Sequence, residues 1–297
     1  MLSILIPIYN FSCADLVAEL HRQAAACAVP FEIILMDDAS TLYKEENRKL
    51  SQLPGVKLIE LPENIGRAKI RNRLAGEAKF DSLLFMDVDV RPTNENYVKN
   101  YLEVCADYPM ICGGLAYCEK PPQDKKRYLH WLVGTNREVI SVEKRRKKPN
   151  KSFLTSNFLI HKNIFNQIRF DENISKYGHE DTLFGFELKK RGITIHHIDN
   201  PLEHIGLETS ERIIAKEKEG IENLYFVILK HNHATEITED ITLLKYYRLL
   251  RKLHAAPVSA YLYRKFHEKI EQNLTSEKPS LLLFDFYKLG YLCQLKD

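Results

Sequence analysis

Four short apolar runs, Ser3 to Tyr9, Phe31 to Met36, Val56 to Leu61 and Leu83 to Val88, recur along the first third of the chain, and each ends in a polar stop. Runs this short and this apolar read as strands buried on both faces. Helical segments separate them: an Ala- and Leu-rich stretch from Asp15 to Cys27, a charged one from Glu45 to Leu50, and one from Gly66 to Lys79. Strands alternating with helices at this spacing predict an α/β fold with a doubly wound, mostly parallel sheet of Rossmann-like type. The stops are Tyr9-Asn10, Asp37-Asp38, Pro62-Glu63-Asn64 and Asp87-Val88-Asp89. In such a sheet they share the carboxyl edge, where open α/β sheets bind ligands. Asp87 and Asp89 stand at i and i+2 of an extended segment and so point to one side, able to face one cation or one sugar-phosphate. The plain alternative is a strand end followed by a solvated turn, helped by Pro92 and Asn94.

Beyond Val90 the rhythm changes. The pattern predicts a helix from Asn94 to Asp107, a Gly-containing strand from Ile111 to Tyr117, and a basic region from Lys120 to Lys151. Within it, Lys144 to Lys148 reads most simply as a solvated, mobile loop, with an anionic acceptor or a membrane surface as the sharper reading. A strand from Thr155 to Ile160, a helix from His179 to Arg191 stopped by Gly192, and a strand from Thr194 to Ile198 follow. From Glu208 onward the pattern is helical, with Leu224, Val227 and Ile228, then Leu243, Leu244, Tyr247, Leu250 and Leu253 at helical spacing. This divides the chain into a domain at 1–207 and a helical C-terminal appendage at 208–297. The apolar stripe suits packing against the α/β domain, while Lys245, Arg248, Arg251, Lys252, Arg264 and Lys265 give the appendage a basic amphipathic face that suits contact with a membrane.

A net charge of +3 is too small to argue for nucleic acid. The six cysteines show no CxxC spacing, which points to reduced thiols in the cytoplasm. Met1 to Pro7 lacks a basic leader and fits a first strand better than a signal peptide. No apolar run approaches the length of a membrane span. The expected location is cytoplasmic, with peripheral contact at the inner face of the membrane through the basic helices.

Five motifs in order give the chain a resemblance to glycosyltransferase family 2, whose members have the GT-A fold. They are Ile6-Pro7-Ile8-Tyr9-Asn10, Asp37-Asp38-Ala39-Ser40, Asn64-Ile65-Gly66 leading into Ile70-Arg71-Asn72, Asp87-Val88-Asp89, and His179-Glu180-Asp181. They cover roughly the first two thirds of the chain, and Ala39 stands where the family often has Gly. The resemblance implies inverting transfer of a sugar from a nucleotide-sugar, with Mn²⁺ or Mg²⁺ as cofactor. It implies Asp89 as the direct metal ligand, Asp87 on the ribose or the metal's water shell, and His204 as a further ligand. The nucleotide-sugar is then expected against Pro7, Ile8, Tyr9, Asp37 or Asp38, Asn64, Gly66, Arg71, Asp87 and Val88, with Asn157 beside the donor sugar. A carboxylate can accept the imide N–H of uracil, so Asp37 or Asp38 favours a UDP-sugar.

Inversion needs a general base on the acceptor hydroxyl. By resemblance Asp181 is that base and Glu180 contacts sugar hydroxyls; placed in a helix's first turn, Asp181 is expected to have a pKa lowered by the dipole. Trp131 could stack on an acceptor sugar or simply pack. The QxxRW signature of processive synthases is missing, so the expectation is a hexosyl- or N-acetylhexosaminyltransferase adding one sugar to a glycan or lipid-linked acceptor in surface polysaccharide synthesis. A catalytically silent GT-A-like subunit that binds a nucleotide-sugar or a partner is the alternative. A sugar-nucleotide pyrophosphorylase fits worse, since Ile4 to Asn10 holds no glycine.

Overall fold

The computed structural model describes residues 1–174, 177–225 and 241–295. They belong to two compact units, one made of Met1–Cys118, Val139–Ser175 and Glu180–Gly206, the other of Glu119–Glu138, Lys176–His179 and Leu207–Asp297.

The first unit opens with β1 (Leu2–Ile8), α1 (Ala14–Ala26), β2 (Phe31–Asp37), α2 (Lys44–Arg48), β3 (Val56–Glu60), α3 (Arg67–Glu77) and β4 (Ser82–Met86). β1 pairs in parallel with β2 and β4, and β2 with β3. Helices cover both faces of such a sheet, which is why β1, LSILIPI, is apolar without alternation and buried apart from Pro7. Antiparallel β8 (Asn157–His161) joins β4 to β6 (Met110–Cys112), and β9 (His196–His197) closes the seven-stranded sheet in the order β3-β2-β1-β4-β8-β6-β9. The result is the mostly parallel α/β sheet with helices around it that the sequence predicts.

Two expectations for the later part need correction. The strand expected from Ile111 to Tyr117 breaks at Gly113-Gly114 into β6 and β7 (Leu115–Ala116). β7 joins β5 (Val90–Pro92) and β10 (Leu202–His204) in a second sheet of order β5-β10-β7. Strands of two or three residues carry no readable alternation, so neither β5 nor β10 is visible in the sequence.

The basic run from Lys144 to Lys148 is the other correction. Most of it forms a short helix, α6 (Val142–Lys147), and Arg145 is only 3% exposed. Its guanidinium donates to the carbonyls of Cys112, Gly113, Ile140 and Ile198 at 2.9–3.1 Å and meets His197 Nδ1 at 2.8 Å. An arginine fork is suited to collecting carbonyls left over where a strand breaks. Gly114, at φ +93°, makes room for it, since a Cβ there would lie 2.6 Å from Arg145 Nη2. Burial, with Arg145 adding to it, pushes the His197 pKa down to about 4, so the ring stays neutral and can accept from Arg145.

A cluster of phenylalanines fixes the parts that matter for function. Phe85 of β4 stacks on Phe158 of β8 at 4.8 Å, and Phe184 of α8 (Glu180–Lys190) stacks on Phe170 at 4.4 Å while packing against Phe158 and Phe165. Gly185 lets α8 press on the turn before β8: a Cβ there would lie 2.4 Å from Asn150 O. The end of β4 and the start of α8 are therefore held on one rigid core.

The second unit contains α5 (Tyr128–Val133), α9 (Ser210–Asn223), α10 (Thr242–Lys252), α11 (Ala256–Leu274) and α12 (Leu281–Gln294), numbered after α4 (Tyr97–Val104) and α7 (Lys162–Ile168). These helices close a core around Leu129, Ile213, Tyr263, Phe284 and Tyr287. Of the expected apolar stripe, Leu224, Leu244 and Tyr247 are buried, Leu253 is exposed, and Val227 and Ile228 lie outside the described residues. Among the described residues no helix is long and apolar enough to cross a membrane.

Candidate active site

The polar stops of β1 and β2 are tied to each other before any ligand is considered. Asn10 N donates to Ser40 Oγ at 2.8 Å, and Asn10 Oδ1 accepts from the backbone of Thr41 and Leu42 at 2.7 and 3.1 Å. Asp37 Oδ1 accepts from Ser40 N at 2.6 Å, a tight turn closed by its own side chain. Asp38 reaches the loop before α3, where Oδ1 accepts from Ile65 N at 2.7 Å and Oδ2 from Gly66 N at 3.1 Å. Burial raises its pKa against the pull of those two bonds. Both Asp38 oxygens hold the turn, so of the pair expected to read the base, Asp37 is the one with an oxygen outside these bonds. Pro7 and Ile8 end β1, Tyr9 is exposed just past it, and Asn64 donates to Asp38 O at 3.2 Å. Ala39 between the two stops has φ 59°, the left-handed region where a Gly is more comfortable than Ala.

At the end of β4 the carboxylates part company. Asp87 is bound by Arg71, which is 2% exposed, and faces Arg67 Nη2 at 3.5 Å. Arg67 Nε in turn donates to Glu180 Oε1 at 2.8 Å. Burial acts to raise both carboxyls, but Arg71 with Arg67 for Asp87, and Arg67 with Arg71 for Glu180, outweigh it and hold both below the ordinary value. Four charges thus form a chain, Arg71–Asp87–Arg67–Glu180, that links β4 to the first turn of α8. Asp87, expected on the ribose or at the metal, has its two oxygens turned to these arginines, with Val88 partly exposed beside it.

Asp89 lies outside that chain. Its Oδ2 is 3.5 Å from His204 Nε2, and Tyr117 stacks on the imidazole at 5.3 Å. Antiparallel pairing of β10 with β5 puts His204 opposite Val90. Gly206 is essential to the approach, because a Cβ there would stand 2.5 Å from Asp89 Cβ and 2.6 Å from Oδ2. Burial, opposed by His204 and reinforced by Asp87, raises the Asp89 pKa. Among the described residues no three His, Cys, Asp or Glu side chains gather into a ready-made cage. One oxygen and one imidazole nitrogen fit a Mn²⁺- or Mg²⁺-type ion whose remaining ligands are substrate phosphate oxygens and water, the usual arrangement for such ions.

Asp181 sits one residue into α8. Burial first, then the charge of Glu180, pushes its pKa up to about 6, although Thr182 donates to Oδ1 through its backbone N at 2.6 Å. The expected lowering by the helix dipole is therefore reversed: desolvation and a like charge next door are the larger effects.

Asn157, expected beside the donor sugar, is held entirely by the protein. Its amide donates to Gly114 O and Asn200 O at 2.7 and 2.9 Å, and its Oδ1 accepts from Tyr97 and Tyr101 hydroxyls at 2.7 and 2.6 Å. Every hydrogen-bonding position of the side chain is filled by protein, so its part is to fix the strand end. Trp131 belongs to the second unit, where it packs near Tyr128 at 5.4 Å. Arg67 belongs to none of the sequence motifs. The signal was there: a cation in the first turn of a helix opposes the dipole, so it needs carboxylates to hold it.

The comparisons agree with this architecture. The family model described as "Glycosyl transferase family 2" matches residues 3–169. No curated protein sequence matches significantly. Among solved structures, residues 1–349 of TarS from S. aureus give a TM-score of 0.50 at 15% identity, covering 100% of this chain and 92% of that one. This chain spans only 39% of the longer TarS chain. The mannosyltransferase PcManGT from Pyrobaculum calidifontis, in complex with GDP-Man and Mn²⁺, gives 0.56 at 14% identity with 97% and 85% covered. GalNAc-T7 with UDP, GalNAc and Mn²⁺ gives 0.52 at 18%, covering 70% of this chain and 43% of that one. At these identities the likeness is one of fold, and the fold is GT-A. With the family model covering more than half of the chain, and its matched stretch running through the strand ends that carry Asp37, Asp38, Asp87 and Asp89, the chain belongs to glycosyl transferase family 2.

Proposed function

We propose that this protein transfers a single sugar, with inversion, from a UDP-sugar to a hydroxyl of a glycan or lipid-linked acceptor, with Mn²⁺ or Mg²⁺ as cofactor. The observation that carries the reading is the division of labour among four neighbouring carboxylates: Asp87 and Glu180 are neutralised by arginines, while Asp89 with His204 and Asp181 are not. Asp89 and His204 would hold the cation. When bound, such an ion offsets the charge that grows on a departing diphosphate.

The remaining roles belong to the chain's own groups. Asp37, fixed by Ser40, offers a carboxylate oxygen to the base at the end of β2. Arg67, at 38% side-chain exposure, is the one cation of the charge chain that reaches solvent and so can meet a phosphate. Asp181 is ionised at neutral pH yet far more basic than an ordinary Asp, which suits a group that takes the acceptor's proton as the new bond forms. Asp87 and Glu180 set the position of Arg67 between them. The solved relatives in complex with UDP-GlcNAc or with UDP, GalNAc and Mn²⁺ support a nucleotide-sugar donor, and the one in complex with GDP-Man keeps the choice of nucleotide open to test.

The test is a thermal-shift comparison of UDP, GDP and their sugars with and without Mn²⁺, followed by transfer assays on the stabilising donor. UDP with Mn²⁺ is expected to stabilise most. A response to GDP alone would overturn the nucleotide, and UDP binding without transfer or donor hydrolysis on a broad acceptor panel would favour a non-catalytic subunit.

A further inference from the structure

The α10–α11 segment carries a surface that the proposed chemistry does not use. From Ile241 to His267 there is no Asp or Glu, while Lys245, Arg248, Arg251, Lys252, Arg264 and Lys265 all fall within it. α10 turns Leu244 and Tyr247 into the core, at 0% and 4% exposure. On the opposite side Tyr246, Leu249 and Leu253, spaced i, i+3 and i+7, are 58%, 50% and 64% exposed. That spacing forms one stripe along a helix, and Lys245, Arg248 and Lys252 repeat it as a parallel column beside the stripe.

We propose that this surface docks on an anionic lipid bilayer, with the Tyr246–Leu249–Leu253 stripe entering the interface and the basic column against lipid headgroups. An apolar stripe left bare on the side away from the core and flanked by cations, on a helix that itself carries no acid, is the pattern of a helix that lies in a membrane interface. At roughly 16 Å, α10 is long enough to lie in that plane and too short to cross it. Each cation held near an anionic surface adds to binding and does so less at high salt.

The test is flotation of the full chain with phosphatidylcholine vesicles with and without phosphatidylglycerol, at low and high salt. Binding is expected only with the anionic lipid and should weaken at high salt. It should fall by at least about tenfold in Lys245→Gln/Arg248→Gln/Lys252→Gln and in Leu249→Ser/Leu253→Ser. Both variants change exposed side chains, and a far-UV circular dichroism spectrum and melting temperature equal to wild type show that they are folded. Failure to float with any vesicle, or flotation unchanged in both variants, would overturn the proposal. So would a lipid-free dimer by light scattering that Leu249→Ser/Leu253→Ser turns into a monomer, since the stripe would then be a face between copies. None of these outcomes depends on the catalytic roles assigned to Asp89 and Asp181.

Discussion

Asp87 and Asp89 leave the same strand end two residues apart, yet the first sits between Arg71 and Arg67 while the second faces His204 across 3.5 Å. The arginine-bound region is closed: its carboxylates lie below their ordinary pKa, and Arg71 and Glu180 are almost wholly covered. The Asp89 side chain is 30% exposed and its carboxyl lies above the ordinary value, so its charge is opposed by burial and only partly offset. A buried carboxylate paired with two arginines serves the scaffold, whereas one that faces an imidazole across 3.5 Å can still take a cation. The contrast can be broken by treating the two regions identically and asking what each loses.

Asp89→Ala should show the largest effect. We expect transfer to fall by about a thousandfold or more, as for loss of a group that stabilises a leaving charge, and the Mn²⁺-dependent part of UDP stabilisation to vanish. The melting temperature without ligand should move by no more than a few degrees, because the residue bonds little of the scaffold. Transfer assays with a melting curve decide it. A protein that unfolds, or one that keeps its Mn²⁺ response, would put Asp89 on the scaffold side.

Arg71→Ala should invert that pattern. It leaves Asp87 buried without its main partner, which costs about 3–5 kcal/mol, read by urea unfolding. Partial rescue by Asp87→Asn in the same chain would confirm that the loss is one of charge pairing. A stable Arg71→Ala protein that merely binds UDP less tightly would show that Arg71 serves the ligand instead.

Asp181 extends the comparison to pH. With its pKa raised to about 6, transfer should fall about tenfold per pH unit below 6 as the base is protonated. A raised folded-state pKa also means that this carboxyl favours folding only when protonated. Its contribution is present below the unfolded value near 4, and is lost as pH rises through about 6. Asp181→Asn should therefore abolish transfer and raise the melting temperature by a few degrees at pH 8, with no gain at pH 4. Arg67→Gln releases the Glu180 charge and should move the acid limb of the transfer profile upward. An unmoved limb would mean that Arg67 only supports the fold.

Much of this was legible in the sequence for a physical reason. A strand buried on both faces shows itself by an apolar run, so β1, β2, β3 and β4 and their polar stops stand out, and with them Asp37, Asp87 and Asp89. What was hidden depends on chain segments far apart. Three-residue strands such as β5 and β10 are made by their partners, so the pairing that brings His204 to Asp89 has no local signature. Charge has the same ambiguity. Lys144 to Lys148 looks solvated, and only the carbonyls released at Gly113-Gly114 explain why Arg145 is buried among them. Nothing in the neighbours of Asn157 announces that Tyr97 and Tyr101 fill its oxygen. The sign of the Asp181 shift is not legible in the sequence, because the helix dipole is local whereas desolvation by the rest of the fold is not.

Ala39 offers the smallest effect and the finest test of how the scaffold side was set. Asp37 and Asp38 on its left are both bonded to backbone, at Ser40 and at Ile65 and Gly66, so the turn cannot relax away from φ 59°. An Ala held there costs about 1–2 kcal/mol relative to an unstrained backbone. Gly removes that strain but brings about 0.5–1 kcal/mol of extra chain entropy to be lost on folding. Ala39→Gly should thus stabilise by about 0.5 kcal/mol, or about 1–2 °C, with transfer unchanged. Ala39→Val, β-branched in the same region, should destabilise by about 1 kcal/mol or more. Opposite signs for Gly and Val would show that the turn is imposed by Asp37 and Asp38 against the preference of the residue between them. Losses in both would show that the Ala39 methyl packs, and that the position is chosen by contact and not by strain.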